Sequence, residues 1–337
     1  MPIDRPDPSI SEADADTRML ARRDDILATL AKADHRMLAA DYRAAAAFYG
    51  AVGRLAGSGV EIDRSELLRA RDAALWLGGR FGEMLHEGLE KAGLGPAHRH
   101  PQFQKSLDIM QGARPRDRET SRFPQKPQSY FYPDLPLVNF ADPADYAWRA
   151  AVEQQTEVIL AEGRALMADP VNFLPYMRQT TDRPQGDVHG LLENPDWSTC
   201  YLTDCGQPIA QRTAIAPVTW ETINTQVPLC RINTRAPSVM YSLLRAHSKI
   251  PAHTGMVNCR FVCHLPLIVP DDCGFRVGET TRQWRVGQLM VFDDSVEHEA
   301  WNNSDHDRLV LIFDIWRPEL SEEERHQIAT LFAVVDG

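Results

Sequence analysis

The chain has 337 residues, a length that fits one large domain or two domains of ordinary size. With 43% hydrophobic and 25% charged residues, its composition is typical of a globular protein in water. A net charge of −11 argues against nucleic acid or an anionic membrane as the main partner. No apolar run approaches the roughly eighteen residues of a membrane span, and no signal-peptide pattern opens the sequence. We therefore expect a cytoplasmic protein.

The first third of the chain has the pattern of an all-α region. Residues 1–16 are rich in Pro and Asp, which predicts a disordered tail. Residues 17–112 have helical periodicity, with Asp41 as a predicted N-cap and an apolar face after it. A turn at 78–81 is predicted to separate a third helix from a fourth. A further helix is predicted over 100–111.

Part of this region resembles tetratricopeptide repeats. Residues 40–49 are similar to the turn and second helix of one repeat, and 79–82 would be the matching turn of the next. Two repeats are few, and their helices must pack on something else to bury their faces. The resemblance leaves two functions open: a platform for a peptide or protein, or a stabilising cap that also allows oligomerisation.

Residues 113–130 are rich in Arg, Pro and Gln and are predicted to be a linker, and 131–337 form the predicted second domain. Its elements should be, in order, a helix over 145–166, a strand over 198–202, a short helix over 216–223, strands from Met240 to Pro318 and a closing helix over 319–333. Ser321 and Glu324 have the spacing of a capping box for that last helix.

The six cysteines form no CxxC pair. We expect them to be reduced thiols that pack as small hydrophobic side chains.

Two histidines, His253 and His298, are embedded in the strand-rich part of the chain. If a small β-barrel brings them together, they form a candidate metal site, because neutral imidazole binds iron, zinc and copper. Along the predicted strand 258–265, Arg260, Val262 and His264 share one face, and the alternate residues make an apolar face. We expect the first face to point into the barrel.

Basic side chains inside a barrel need a partner, and a dicarboxylate ligand is one. Arg308 alternates with Val310 and Ile312 in the same way, and arginine suits bidentate recognition of carboxylates. The residues therefore predict a site for an anionic ligand beside the histidines.

The same residues carry a resemblance to a known family. The segments 253–260, 264–267, 292–299 and 314–320 are similar to the aspartyl/asparaginyl β-hydroxylases, which are Fe(II)- and 2-oxoglutarate-dependent oxygenases. The resemblance implies an α+β protein: a double-stranded β-helix (jelly roll) with flanking helices, preceded by the all-α, TPR-like region. It also implies Fe(II), 2-oxoglutarate and O2 as cofactor and co-substrates.

Carried over residue by residue, the resemblance makes His253 and His298 the metal ligands. Most such oxygenases have a carboxylate ligand two positions after the first histidine; here that position is Gly255, as in this family. The resemblance implies that water takes the place of the carboxylate and that Asp294, rather than Asp293, holds this water.

The resemblance also assigns the co-substrate. Ser242 and Arg308 would bind the distal carboxylate of 2-oxoglutarate, and His264 the chelating end; Arg260 is predicted to belong to the same co-substrate site. One departure concerns the substrate: animal members have an arginine at the position of Val262.

The expected reaction is hydroxylation of the β-carbon of an aspartyl or asparaginyl residue, or of a related amino acid, with release of succinate and CO2. The alternatives are a free or carrier-bound amino acid as substrate, or a non-catalytic scaffold that keeps the fold. A lipid-modifying hydroxylase is disfavoured because no membrane segment is evident. The expected partner is a peptide, protein or amino acid, and neither nucleic acid nor a membrane.

Overall fold

The computed structural model describes residues 6–184, 190–232 and 235–336. The chain forms two compact units: one extends to Gly88 and includes a short segment from Arg178, and the other begins at Leu89 and contains the rest. The second unit thus includes the predicted helix 100–111 and the predicted linker. Across these described ranges, no helix is both long enough and apolar enough to cross a membrane.

The N-terminal part of the chain is helical, as predicted. Its helices are α1 (Glu12–Ala21), α2 (Ile26–Leu38), α3 (Tyr42–Gly57) and α4 (Arg64–Lys91). Asp41 caps α3 by accepting a hydrogen bond from the Ala44 N–H at 3.1 Å. Ala45, Tyr49 and Val52 of α3 are buried in a core with α2, which confirms the predicted apolar face.

The prediction of a disordered tail over 1–16 is wrong for its last part, because α1 begins at Glu12 with Ser11 as its cap. The reason is a buried charge on the next helix. The Lys32 side chain is only 1% exposed and pairs with Glu12 at 2.8 Å and Asp16 at 2.6 Å. A buried ammonium needs such partners, so Lys32 holds the acidic segment in place.

The predicted turn at 78–81 is also wrong, because α4 continues through it without a break. Glycine inside a helix costs only about 1 kcal/mol relative to alanine. The flanking Leu, Ala, Arg and Glu residues offset this cost. The second turn of the repeat-like pattern is therefore absent, and the resemblance to tetratricopeptide repeats is limited to the pair α2–α3.

The second unit combines helices with antiparallel strands. Its helices are α5 (Pro101–Met110), α6 (Arg149–Glu153), α7 (Thr156–Met167), α8 (Ala210–Ile215), α9 (Pro217–Gln226) and α10 (Glu322–Asp336). Its strands are β1 (Phe140–Ala141), β2 (Leu174–Pro175), β3 (Trp197–Tyr201), β4 (Thr203–Asp204), β5 (Gln207–Pro208), β6 (Val239–Leu244), β7 (Ser248–His253), β8 (Arg260–Ile268), β9 (Cys273–Val277), β10 (Thr280–Arg282), β11 (Met290–Phe292), β12 (His298–Asn302) and β13 (Arg308–Trp316).

Two antiparallel sheets build the predicted jelly roll. The large sheet has the strand order β1-β11-β8-β13-β6-β3-β2, and the small sheet has the order β10-β9-β12-β7. Apart from the pairs β2–β3 and β9–β10, strands adjacent in either sheet are not consecutive in sequence, so the chain passes repeatedly between the two sheets. The α+β architecture predicted from the sequence is confirmed.

The large sheet buries each of its faces against a different layer. Phe261, Cys263 and Leu265 of β8 pack with α6, α7 and α9 on the outer face. Val262 of the same strand packs with residues of the small sheet, such as Phe275, on the inner face. The predicted alternation along β8 is therefore confirmed, and it aims Arg260 and His264 into the space between the sheets.

Several smaller predictions have clear outcomes. The predicted helix over 145–166 is instead two helices, α6 and α7. At the break between them, the Thr156 hydroxyl donates to the Glu153 carbonyl at 2.6 Å and competes with the helical backbone hydrogen bonds. Ser321 and Glu324 form the predicted capping box at α10. The cysteines are free thiols, and all but Cys205 are buried.

Gly163 tests how tightly α7 packs on the large sheet. A Cβ at this position would lie 2.7 Å from a ring carbon of Tyr241, which is fully buried and hydrogen-bonded to Thr219 and Ile159 through its hydroxyl. Because the ring has no room to move, we expect Gly163→Ala to lower the free energy of unfolding by about 1–3 kcal/mol. Gly78→Ala, in open space on α4, should raise it by up to about 1 kcal/mol. Urea unfolding measures both, and a neutral Gly163→Ala would contradict this packing.

Candidate active site

The two predicted ligand histidines lie side by side on the small sheet. His253 ends β7, His298 begins β12, and their Cα atoms are partners in the antiparallel register. The centroids of the two rings are 4.2 Å apart. Strand pairing alone thus brings together two residues that are far apart in the sequence.

Both imidazole rings are oriented in the same way. The Nδ1 of His253 donates to the Pro251 carbonyl at 2.7 Å, and the Nδ1 of His298 donates to the Val296 carbonyl at 2.9 Å. A neutral ring that donates from Nδ1 has its lone pair on Nε2, the atom that binds a metal. Burial, reinforced by His253, lowers the pKa of His298 to about 3, so this ring is neutral.

A third side-chain ligand is not provided in the part of the chain that the structure describes, where no group of three or more His, Cys, Asp or Glu is arranged to hold a metal ion. At Gly255, the Asp294 carboxylate occupies the space next to the α-carbon, and an added Cβ would overlap its Oδ2. The Gly255 N–H also donates to the Asp294 carbonyl at 2.6 Å. Asp294 therefore fills the position that a carboxylate side chain at 255 would take.

One oxygen of Asp294 is available to a ligand. Oδ2 accepts from Arg260 at 3.1 Å, whereas Oδ1 is buried and has no hydrogen-bond partner among the described residues. A buried carboxylate oxygen without a donor costs free energy until a donor such as water arrives. This fits the predicted role of Asp294 in holding a water molecule beside the histidines.

Arg260 lies between two carboxylates of the chain. Its guanidinium contacts Asp294 at 3.1 Å and Asp314 at 2.6 Å. Its charge is thus already neutralised, and its contacts orient Asp294. The prediction that Arg260 binds the co-substrate stays a prediction.

Arg308, in contrast to Arg260, is a buried arginine without an acidic partner among the described residues. It is 1% exposed, and among the described residues no carboxylate pairs with it. Its contacts are the Ser242 hydroxyl at 3.3 Å and the face of Trp284 at 4.8 Å, while its Nε has no hydrogen-bond partner in the described part of the chain. Burial lowers the pKa of Arg308 to about 10. A buried guanidinium without an anion is a site for a carboxylate ligand.

Ser242 and His264 complete this second pocket. The Ser242 oxygen accepts from Arg308 and from the indole N–H of Trp197 at 3.2 Å, so its own proton points elsewhere and can meet a ligand. Nδ1 of His264 accepts from the indole N–H of Trp284 at 3.2 Å, which places the ring proton on Nε2. Burial above all, then Arg308, holds the pKa of His264 well below its usual range, so its ring is a neutral donor.

The residues present fit an Fe(II) ion and 2-oxoglutarate. Two neutral imidazoles can bind the metal, an unpaired carboxylate oxygen can hold a water, and an unpaired guanidinium beside a hydroxyl can bind a carboxylate. The side chains of Trp197, Trp284 and Asp314 orient these groups, and these three residues were not predicted from the sequence. Of these three, only Asp314 has a signal in the sequence: it continues the alternation of Arg308, Val310 and Ile312 on the face of β13 that points into the barrel. Conversely, His247 is an exposed residue that pairs with Asp305 outside the site.

The close approach of Gly255 and Asp294 is testable by unfolding alone. We expect Gly255→Ala to lower the free energy of unfolding by about 2 kcal/mol, because the new methyl group overlaps the Asp294 carboxylate. In an Asp294→Ala background the same change should cost much less, since the obstructing oxygen is gone. Equal costs in the two backgrounds, measured with urea as a double-mutant cycle, would show that the two side chains do not compete for this space.

Comparison with known proteins places this site in a family. The sequence pattern described as "Aspartyl/Asparaginyl beta-hydroxylase" matches residues 153–318. The human aspartyl/asparaginyl beta-hydroxylase is 31% identical over 54% of this chain and 22% of its own length. The ornithine lipid ester-linked acyl 2-hydroxylase of Rhizobium tropici is 29% identical over 52% of this chain and 60% of its own. The chain thus spans about a fifth to three fifths of these relatives.

Among solved structures, a 2OG-Fe(II) oxygenase family oxidoreductase from Burkholderia pseudomallei is 16% identical, with a TM-score of 0.30 over 52% of this chain and 90% of that chain. So low a score supports no argument about the site. The family rests instead on the sequence match, which contains both histidines, Ser242, His264 and Arg308. Residues 153–318 of this chain, the part of the jelly roll that carries these residues, therefore belong to the aspartyl/asparaginyl β-hydroxylase family.

Proposed function

We propose that this protein is an Fe(II)- and 2-oxoglutarate-dependent dioxygenase that hydroxylates the β-carbon of an aspartyl or asparaginyl residue, or of a related amino acid. The observation that carries the proposal is Arg308: a buried guanidinium without a carboxylate partner among the described residues, in the same barrel as two imidazoles that each donate from Nδ1 to a backbone carbonyl. A protein that only serves as a scaffold has no need of such a charge, because an unpaired buried cation lowers stability.

Each residue has a task in this proposal. His253 and His298 hold the metal through Nε2, and Asp294 holds a water in the place of a third ligand. Arg308 and Ser242 bind the distal carboxylate of 2-oxoglutarate, and His264 donates from Nε2 to its other end. When bound, the metal would activate O2, which oxidises 2-oxoglutarate to succinate and CO2 and provides the hydroxyl group of the product.

The substrate proposal follows the human relative, whose name gives aspartyl and asparaginyl groups; the Rhizobium relative is named for an acyl chain of a lipid. Val262 is buried in the apolar cluster between the sheets, so no basic group stands at this position. We therefore expect substrate recognition to differ in detail from that of the animal enzymes. Peptides that contain Asp or Asn, tested beside ornithine-lipid micelles, distinguish the two substrate classes by the mass of the product.

The first functional test needs no substrate. With Fe(II), O2 and 2-oxoglutarate, we expect slow formation of succinate by the unaltered protein, and its loss in His253→Ala and Arg308→Ala. His247→Ala is the matched control, because His247 is exposed and pairs with Asp305 outside the site. Its rate should equal that of the unaltered protein.

If succinate does not form, anaerobic binding of Fe(II) and 2-oxoglutarate distinguishes an oxygenase from a scaffold. Absence of both would refute the oxygenase proposal and favour a scaffold. Binding without turnover would keep the site and point to a reaction that requires its true substrate.

Arg308 also predicts a conflict between stability and ligand binding. We expect Arg308→Met to raise the free energy of unfolding of the ligand-free protein by about 1–3 kcal/mol, because a buried, unpaired charge is replaced by an apolar side chain of similar length. The same variant should lose the increase in melting temperature that 2-oxoglutarate gives the unaltered protein. A less stable Arg308→Met protein that still responds to 2-oxoglutarate would contradict the assignment.

A further inference from the structure

The segment of residues 125–132, here called the strap, contacts both histidine-bearing loops of the barrel. The backbone N–H of Lys126 donates to the Ser295 carbonyl at 2.7 Å, in the loop before His298. Gln128 N–H donates to the Gly255 carbonyl at 3.0 Å, and Ser129 N–H to the Met256 carbonyl at 2.9 Å, in the loop after His253. One short stretch of chain thus bridges the two loops.

Gln125 is the side chain at the centre of this bridge. Its Nε2 donates to Asp293 Oδ2 at 2.7 Å, and its Oε1 accepts from the Asn258 amide at 2.9 Å. Asn258 in turn accepts from the Tyr132 N–H at 2.7 Å and donates to the Tyr132 carbonyl at 2.8 Å. Gln125 is 5% exposed and Asn258 is fully buried, so these bonds form away from competing water.

Asp293 is the anchor of the strap on the His298 side. Besides Gln125, it accepts from Arg317 at 2.9 Å and from the N–H of Ser295 at 3.0 Å. Both Asp293 and Arg317 are completely buried. With both oxygens engaged, Asp293 has no capacity left to hold a water at the metal, in contrast to its neighbour Asp294.

We infer that the strap is a positioning element for the metal site, and that Gln125 couples the His253 loop to the His298 loop. The inference rests on the proposed function, in which these histidines bind Fe(II). With only two side-chain ligands, the metal depends more on their mutual geometry than in a site with three, because no third residue corrects an error in spacing. Groups that orient ligands without touching the metal change metal affinity by about 10- to 100-fold when removed.

A positioning role of the strap and a general loosening of the fold predict different effects on ligand binding. The backbone N–H groups of Lys126, Gln128 and Ser129 donate to the histidine loops, whereas Ser242 and Arg308 lie on β6 and β13 of the large sheet. Loss of Gln125 should therefore weaken binding of Fe(II) and leave binding of 2-oxoglutarate to the metal-free protein unchanged. A purely structural defect would weaken both.

The experiment measures two dissociation constants under anaerobic conditions: that of Fe(II) by titration of metal-free protein, and that of 2-oxoglutarate by calorimetry without metal. For Gln125→Ala we expect a rise of about tenfold in the first and less than about twofold in the second. Gln125→Glu should affect Fe(II) at least as strongly, because it removes the donor and faces the Asp293 carboxylate. Gln226→Ala, an exposed glutamine on α9, is the matched control and should change neither constant.

If Gln125→Ala does not fold, Gln128→Ala serves in its place. This exposed side chain donates to the Thr254 carbonyl at 2.7 Å, and its loss should weaken Fe(II) binding by about two- to fivefold. Unchanged Fe(II) binding in the folded variants, or a parallel loss of both ligands, would overturn the positioning role. Absence of Fe(II) binding in the unaltered protein would instead overturn the proposed function, and the inference with it.

Discussion

The antiparallel register between β7 and β12 is the constraint on which the site depends. It makes His253 and His298 direct partners across the small sheet, and each ring is then turned by a backbone carbonyl two residues earlier in the chain. A shift by one residue would turn one imidazole to the other face of the sheet. The bulge between His298 and Ala300 is tolerated because it follows the histidine pair.

Charge inside the barrel is distributed unevenly, and this unevenness gives the pocket its chemistry. Arg260 is balanced by Asp294 and Asp314, so this part of the interior carries an excess of negative charge. Arg308, on the adjacent strand β13, has no anionic partner within the described ranges. A divalent cation near the histidines and a dianion reaching Arg308 would satisfy both parts at once, and each would strengthen the binding of the other.

Much of the fold was predictable because its signals are local. The capping box at Ser321, the cap at Asp41 and the alternation along β8 each depend on a few neighbouring residues. The two errors in the N-terminal helices had different causes, one a contact between helices and the other the strength of neighbouring helix formers. The buried Lys32 organises α1 from the next helix, and α4 tolerates Gly78 because its flanking residues favour helix.

The candidate site also has residues that were predictable from the sequence and residues that were not. The histidines, Ser242 and Arg308 were identified by resemblance and by strand periodicity, and the structure brings them into one barrel. The roles of Trp197, Trp284 and Gln125 were not predictable, because each acts through a partner distant in sequence. Gln125 lies in a stretch without periodicity, which was predicted to be a linker. Its place beside the histidine loops is evident only from its contacts with Asp293 and Asn258.

The contact between Gly255 and Asp294 has a consequence for how such a site changes over generations. A single substitution at 255 that supplies a carboxylate meets the Asp294 side chain, and a single loss of Asp294 would leave a metal held by the two histidines with neither a third ligand nor a group to hold water in its place. Each one-step path therefore passes through a protein worse than its parent. A change to a site with a carboxylate at 255 would therefore require substitutions at both positions.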